Sequence, residues 1–250
     1  MHDARRITGK LGSLLYGVLQ LVADFFVTGV GTDIGKTVIG AALCHQLRAQ
    51  GQSVRAYKPV ISGFDEQTRE HSDAAIYLQA LGQEISDEAV SDMSPWRYAA
   101  PLAPNMAAAA QGQVLDADRV IQWCNDRRNQ QGISFFEGAG GVMAPLSDDT
   151  TMLDWMKAMD VPVLCVTGDY LGAISHTLTA LEILALHNVR LQAVIVNQSG
   201  QSHVPIHDTL RAIARHMPQK VPLSVTPYLD NHEKPWQSMP DLTHVLGTDL

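Results

Sequence analysis

Residues 25–37 read Phe-Phe-Val-Thr-Gly-Val-Gly-Thr-Asp-Ile-Gly-Lys-Thr, and this stretch decides the fold. Phe25, Phe26 and Val27 give a short apolar strand signal, Gly29 to Thr37 a glycine-rich turn, and Val38 to Gln50 a helical pattern ended by Gly51. Strand, glycine-rich loop and helix in this order make a phosphate-binding loop. The glycines let backbone N–H groups turn towards phosphate oxygens, and the helix start adds its positive end. Lys36 is placed to reach β- and γ-phosphates, and the Thr37 hydroxyl to ligate Mg2+. The spacing departs from G-x4-G-K-[ST], because Val30 stands at the usual first glycine and Gly29 lies one residue earlier.

Away from the loop, apolar runs alternate with helical patterns. Strands are expected at Ser53–Tyr57, Ile133–Phe136, Val161–Val166, Ala193–Val196 and Val221–Val225. Helices are expected at 73–81, Asp116–Arg128, Leu153–Met159, Thr177–His187 and 206–216, with 82–115 an irregular excursion over the active-site edge. Near-continuous Val/Ile/Leu strands alternating with helices imply a doubly wound, mainly parallel α/β sheet covered on both faces. Its crossovers are right-handed, and ligands bind beyond the carboxyl ends of its strands.

At 250 residues, with 46% hydrophobic and 18% charged residues, the chain suits a single domain. Its net charge of −8 speaks against nucleic acid or an anionic membrane surface as partner. The three cysteines, Cys44, Cys124 and Cys165, lie in apolar contexts without metal spacing, as in a reducing cytoplasm. Arg5, Arg6 and Lys10 precede an apolar stretch from Leu14 to Val22 that lacks a small-residue cleavage site and is too short to span a bilayer. Residues 1–23 therefore read as an N-terminal extension and 24–250 as the domain.

The placement rule then selects residues. Lys58 follows a strand and is fixed by Pro59; Glu137 ends a strand ahead of Gly138-Ala139-Gly140-Gly141, as a Walker-B-like acid does. Asp73 reads equally as a helix N-cap or a functional acid. Leu171, Gly172, Ala173 and Ser175 open a helix whose N–H groups suit a carboxylate. Asn197 follows the next strand, where its amide suits an adenine edge, and Pro227, Tyr228 and Leu229 follow the last and suit a wall for the base. His203 and His207 bracket Pro205 and read as solvated surface rather than a metal pair.

These segments resemble the dethiobiotin synthetase family of the P-loop NTPase superfamily, from about Phe25 to Leu229. The resemblance is carried by T-G-x-G-T-D-x-G-K-T, Y-K-P-V-x-S-G (57–63), S-D-A (72–74), E-G-A-G-G (137–141), P-L-S-D (145–148) and L-G-x-I-x-H (171–176). It implies a cytoplasmic, ATP- and Mg2+-dependent cyclo-ligase that carboxylates 7,8-diaminopelargonate with CO2 and closes the ring to dethiobiotin. It implies Lys36 and Lys58 as catalytic cations, with Thr37, Asp73 and Glu137 around Mg2+. Asp33, Ile34, Gly35, Lys36, Thr37, Val38, Asp73, Asn197, Gln198 and Pro227–Leu229 would bind nucleotide. Ser62, Lys58 and Gly140 would bind substrate, whose carboxylate would meet Leu171, Gly172, Ala173 and Ser175 of the partner in a homodimer. Asp33 and Gln198 stand where relatives carry Glu and an acidic residue. A nucleotide-switch ATPase of the partitioning type is the alternative; it carries a second lysine early in the loop, where this chain has Gly31.

Overall fold

The computed structural model describes residues 22–128, 130–200, 202, 204–229 and 233–247. Their elements run β1 (Val22–Gly29), α1 (Lys36–Ala49), β2 (Val54–Tyr57), β3 (Val60–Ser62), α2 (Asp73–Ala80), α3 (Asp87–Met93), β4 (Trp96–Tyr98), α4 (Pro104–Ala110) and α5 (Ala117–Asn125). They continue as β5 (Gly132–Glu137), α6 (Met152–Met159), β6 (Val163–Gly168), α7 (Ala173–Leu186), β7 (Leu191–Asn197), α8 (Ile206–His216) and β8 (Leu223–Thr226). Six strands form one parallel sheet in the order β2-β5-β1-β6-β7-β8. This is the doubly wound sheet expected from the sequence.

Strand periodicity sorts the core into two layers. Phe25, Val27, Phe135, Leu164, Val166, Ala193 and Ile195 face one side, where they meet Ile39, Leu43 and Leu47 of α1 and Tyr77 and Leu78 of α2. Phe26, Phe136, Val163, Cys165, Val194 and Val196 face the other, against Val120 of α5, Trp155 and Met156 of α6, Leu181 of α7 and Ile213 of α8. The chain leaves β1 in one direction along the sheet and returns through β5 to β6 in the other. The carboxyl end of β1 is therefore the point where the winding reverses, the position at which such sheets bind ligands.

Several elements differ from the sequence expectation. β1 begins at Val22, three residues ahead of Phe25, paired from its first residue with Gly132 of β5. The stretch 82–115 is more regular than expected: it contains α3, β4 and α4. Ser86 caps α3 by accepting from the Ala89 N–H at 3.1 Å, and β4 exists because β3 pairs with it. That pairing follows from Pro59, which carries no amide proton and breaks the β2 ladder. Its carbonyl instead accepts from the Trp96 N–H at 3.1 Å, and the chain peels off into a two-stranded sheet. α5 ends at Asn125 rather than Arg128. Arg127 lies past the helix, 3.7 Å from the centroid of the Trp123 ring and 3.2 Å from Asp92.

The last described residues cover the α1 side of the sheet, where Trp236, Met239, Leu242, Val245 and Leu246 are buried in the first layer. Gln46 of α1 anchors them, donating to the carbonyls of Met239 (3.2 Å) and Pro240 (2.8 Å) and accepting from the Leu242 N–H (2.9 Å). Replacing Trp236, which is 2% exposed, by Ala should cost about 3–5 kcal/mol. A denaturant titration showing less than ~1 kcal/mol lost would mean that this segment is not part of the cooperative core.

Candidate active site

The loop after β1 meets α1 without a side-chain cap among the described residues: the N-cap is Gly35, at φ 91° and ψ 19°. A residue other than glycine is strained in this left-handed region, and a Cβ here would lie 2.2 Å from Asn197 Nδ2. The first N–H groups of α1 are thus left for an anion. Lys36 is buried and curls back so that its Nζ donates to the Gly31 carbonyl at 2.6 Å. Burial first, and the neighbouring Lys58 charge second, pull its pKa down from 10.5 to about 8.

Beside it, at the end of β5, Glu137 is 1% exposed. Its Oε1 accepts from Thr37 Oγ1 at 2.9 Å and from the Lys58 amine, and its Oε2 accepts from the Tyr77 hydroxyl at 2.7 Å. Lys58 is buried as well and pairs with Asp73 Oδ2 at 3.0 Å. Burial would drive the Lys58 pKa down, but the carboxylates of Asp73 and Glu137 outweigh it and hold the amine above its ordinary range. Asp73 shows the converse balance, in which Lys58 overcomes burial and holds the carboxyl low. The cap of α2 is Ser72, which accepts from the Ala75 N–H at 3.2 Å; Asp73 is therefore released from capping and turned to Lys58.

Lys36, Thr37, Lys58, Asp73 and Glu137 line one cleft of about 920 Å³ together with Asp33, Gly35, Val38, Ser62, Gly140 and the turn from Pro101 to Pro104. The Ser62 hydroxyl faces no hydrogen-bond partner among the described residues although it is buried. Ile34 is buried under the loop, and its carbonyl accepts from Asn197 Nδ2 at 3.2 Å. Asn197 Oδ1 in turn accepts from Thr226 Oγ1 at 2.8 Å, so this amide ties the loop to β7 and β8, with one N–H and one lone pair left over. Gln198 and Leu229 are half-buried, Pro227 and Tyr228 exposed, around the same strand ends.

Leu171, Gly172, Ala173 and Ser175 are not brought to this cleft. They line a separate groove of about 770 Å³ along α7, where Gly172 is the N-cap at φ 96° and no side chain caps the helix among the described residues. The Pro101–Pro104 turn belongs to the 82–115 stretch expected over the active-site edge, whereas Tyr77 was not identified from the sequence. For Tyr77 a signal existed, since it lies four residues after Asp73 and so shares its face of α2.

The parallel sheet and the loop at its reversal point define a P-loop nucleotide-binding protein. An AAA domain family model matches residues 23–235. The septum site-determining protein MinD from Pyrococcus horikoshii OT3, complexed with Mg-ADP, shares the fold at TM-score 0.52 and 15% identity, over 88% of this chain and 87% of that one. The ATP-dependent dethiobiotin synthetase BioD of Methylobacterium nodulans is 45% identical over 201 residues, 78% of this chain and 89% of the relative. That of Caulobacter vibrioides is 48% identical over 178 residues, 70% of this chain and 80% of the relative. The chain belongs to the dethiobiotin synthetase family.

Above about 8 the Lys36 amine of the ligand-free chain is largely neutral, and a phosphate bound beside it favours uptake of a proton from solvent. Calorimetry of ADP binding just above that pH, in buffers of differing ionisation enthalpy, should show proton uptake that disappears in Lys36→Met, and affinity should fall as pH rises further. Binding without uptake would mean that the amine is not at the phosphates.

Proposed function

We propose that this chain uses ATP to carboxylate 7,8-diaminopelargonate and close it to dethiobiotin. The observation that carries the reading is the Lys58–Asp73–Glu137–Thr37 network beside the phosphate loop, buried except at the half-exposed Asp73, in a cleft that also holds the Ser62 hydroxyl. One amine of the diamine takes up CO2 and loses a proton, giving a carbamate. A carbamate oxygen attacks the γ-phosphorus and ADP leaves, forming a carbamic-phosphoric anhydride. The second amine then attacks the carbonyl carbon and loses a proton, expelling phosphate and closing the ring.

The chain's contribution is positioning and charge. Lys36 and the open N–H groups of α1 take the phosphates; Lys58, kept protonated by two carboxylates, offsets charge on the carbamate and the transferring phosphoryl group. Ser62 orients the carbamate or amine, and Asn197 with Pro227–Leu229 holds the adenine. Thr37, Asp73 and Glu137 form an oxygen-only donor set, with too few acids to make an all-protein metal cage among the described residues. Such a set fits Mg2+, which keeps waters and substrate phosphates as ligands. When bound, the ion neutralises β- and γ-phosphate charge.

Because the α7 turn lies in a groove of its own, we assign Leu171, Gly172, Ala173 and Ser175 to the substrate carboxylate of a partner's cleft in a homodimer. We place the reaction in the cytoplasm; Cys44, Cys124 and Cys165 are buried thiols, and no described helix is long and apolar enough to cross a membrane.

Phosphate release from ATP, Mg2+ and bicarbonate should rise strongly on adding the diamine, with dethiobiotin formed in equal amount. Hydrolysis indifferent to the diamine would favour a nucleotide switch instead. Lys58→Met should lower kcat by about 10²–10³, and Glu137→Gln should raise the Mg2+ requirement. A wild-type rate in the first, or an unchanged magnesium titration in the second, would remove that residue from its role.

A further inference from the structure

We infer that Tyr77 is a positioning residue of this site: its hydroxyl fixes the carboxylate plane of Glu137 so that only Oε1 is presented to Thr37, Lys58 and the cleft. The inference rests on the reading of Glu137 given above. Three observations carry it. Tyr77 has no exposed surface, and its hydroxyl donates to Oε2 at 2.7 Å. The other oxygen takes both functional donors, Thr37 and Lys58. The approach is made possible by Gly40 of α1, since a Cβ there would lie 2.0 Å from the Tyr77 hydroxyl and 2.8 Å from Cζ.

Glycine inside a helix is less stable than alanine, and Gly40 adopts no left-handed conformation that would call for it. What its missing Cβ provides is the space for a phenol hydroxyl to cross from α2 under α1 to the end of β5. The terminal torsion of a glutamate is broad and two-fold. With only Thr37 and Lys58 as donors, the carboxylate would be free to turn both oxygens towards Lys58, drawing the amine away from Asp73 at 3.0 Å. The phenol ring has only two side-chain torsions and is held in the core, so it denies Glu137 that rotation. Partners that orient a ligating carboxylate typically change metal affinity or activity by about 10–100-fold when removed.

The test is the tightening of ADP binding by Mg2+, measured calorimetrically on the full chain with and without the metal. Tyr77→Phe keeps the ring and removes the hydroxyl. It should leave metal-free ADP affinity unchanged, reduce the Mg2+-dependent tightening about 10-fold or more, and lower kcat more than it raises KM for ATP. Gly40→Ala reaches the same hydrogen bond from the other helix. It should give the same loss of tightening, and the two changes together should lose little more than either alone, because both remove one anchor. If Tyr77→Phe lowers only the melting temperature, with tightening and kcat unchanged, Tyr77 is core packing and the inference is overturned. An unmutated chain whose ADP affinity ignores Mg2+ would sink the metal reading of Glu137 itself, and this inference with it.

Discussion

A carboxylate sits in the core of this protein at the end of β5, and the arrangement around it follows from the cost of burying it there. An ion of that size costs several kcal/mol to remove from water unless it is paired and hydrogen-bonded. Glu137 is 1% exposed and accepts from Thr37, Lys58 and Tyr77. These donors come from the start of α1, the end of β2 and the inner face of α2. One buried charge thus fixes the mutual placement of four elements, and a shift in any of them strands a polar group.

The same constraint gives the two lysines different characters. Lys58 is surrounded by carboxylates, which hold its proton firmly; Lys36, facing mainly burial and a neighbouring cation, holds its proton weakly. The weakly held one lies in the phosphate loop, where an arriving anion supplies the missing counter-charge. Positive charge is therefore under-compensated at the loop and satisfied one layer behind it, which favours an anion at the loop.

The architecture brings these groups to one place at small cost to the sheet. The chain reverses its winding at β1, so the loops after β1, β2 and β5 open on one crevice. Pro59 ends the β2 ladder directly after Lys58 and sends β3 off to pair with β4, which carries Ser62 to the cleft wall. On the far half of the α1 side the sheet is covered by the residues from Trp236 to Leu246, held to α1 through Gln46. That cover lets α1, with the phosphate loop at its start, be buried along most of its length.

What was legible in the sequence was whatever local pattern dictates. Alternating apolar strands and amphipathic helices fixed the parallel sheet, the glycine-rich turn fixed the phosphate loop, and Lys58, Asp73 and Glu137 stood out because each falls next to a strand end or helix start. The helix at 206–216 has the same limits in both readings. What local pattern does not encode is which distant groups meet. β4 depends on β3 some thirty-five residues earlier, the pairing of Asp73 with Lys58 depends on α2 packing beside the end of β2, and the separation of Leu171–Ser175 from the cleft depends on how α7 lies on the sheet. Tyr77 and Gly40 are the sharpest case: an aromatic and a glycine on two helices look like ordinary core residues, and only packing α1 on α2 puts the phenol hydroxyl on a buried carboxylate, because hydrogen bonding is decided by distances of a few ångströms that no spacing along the chain records.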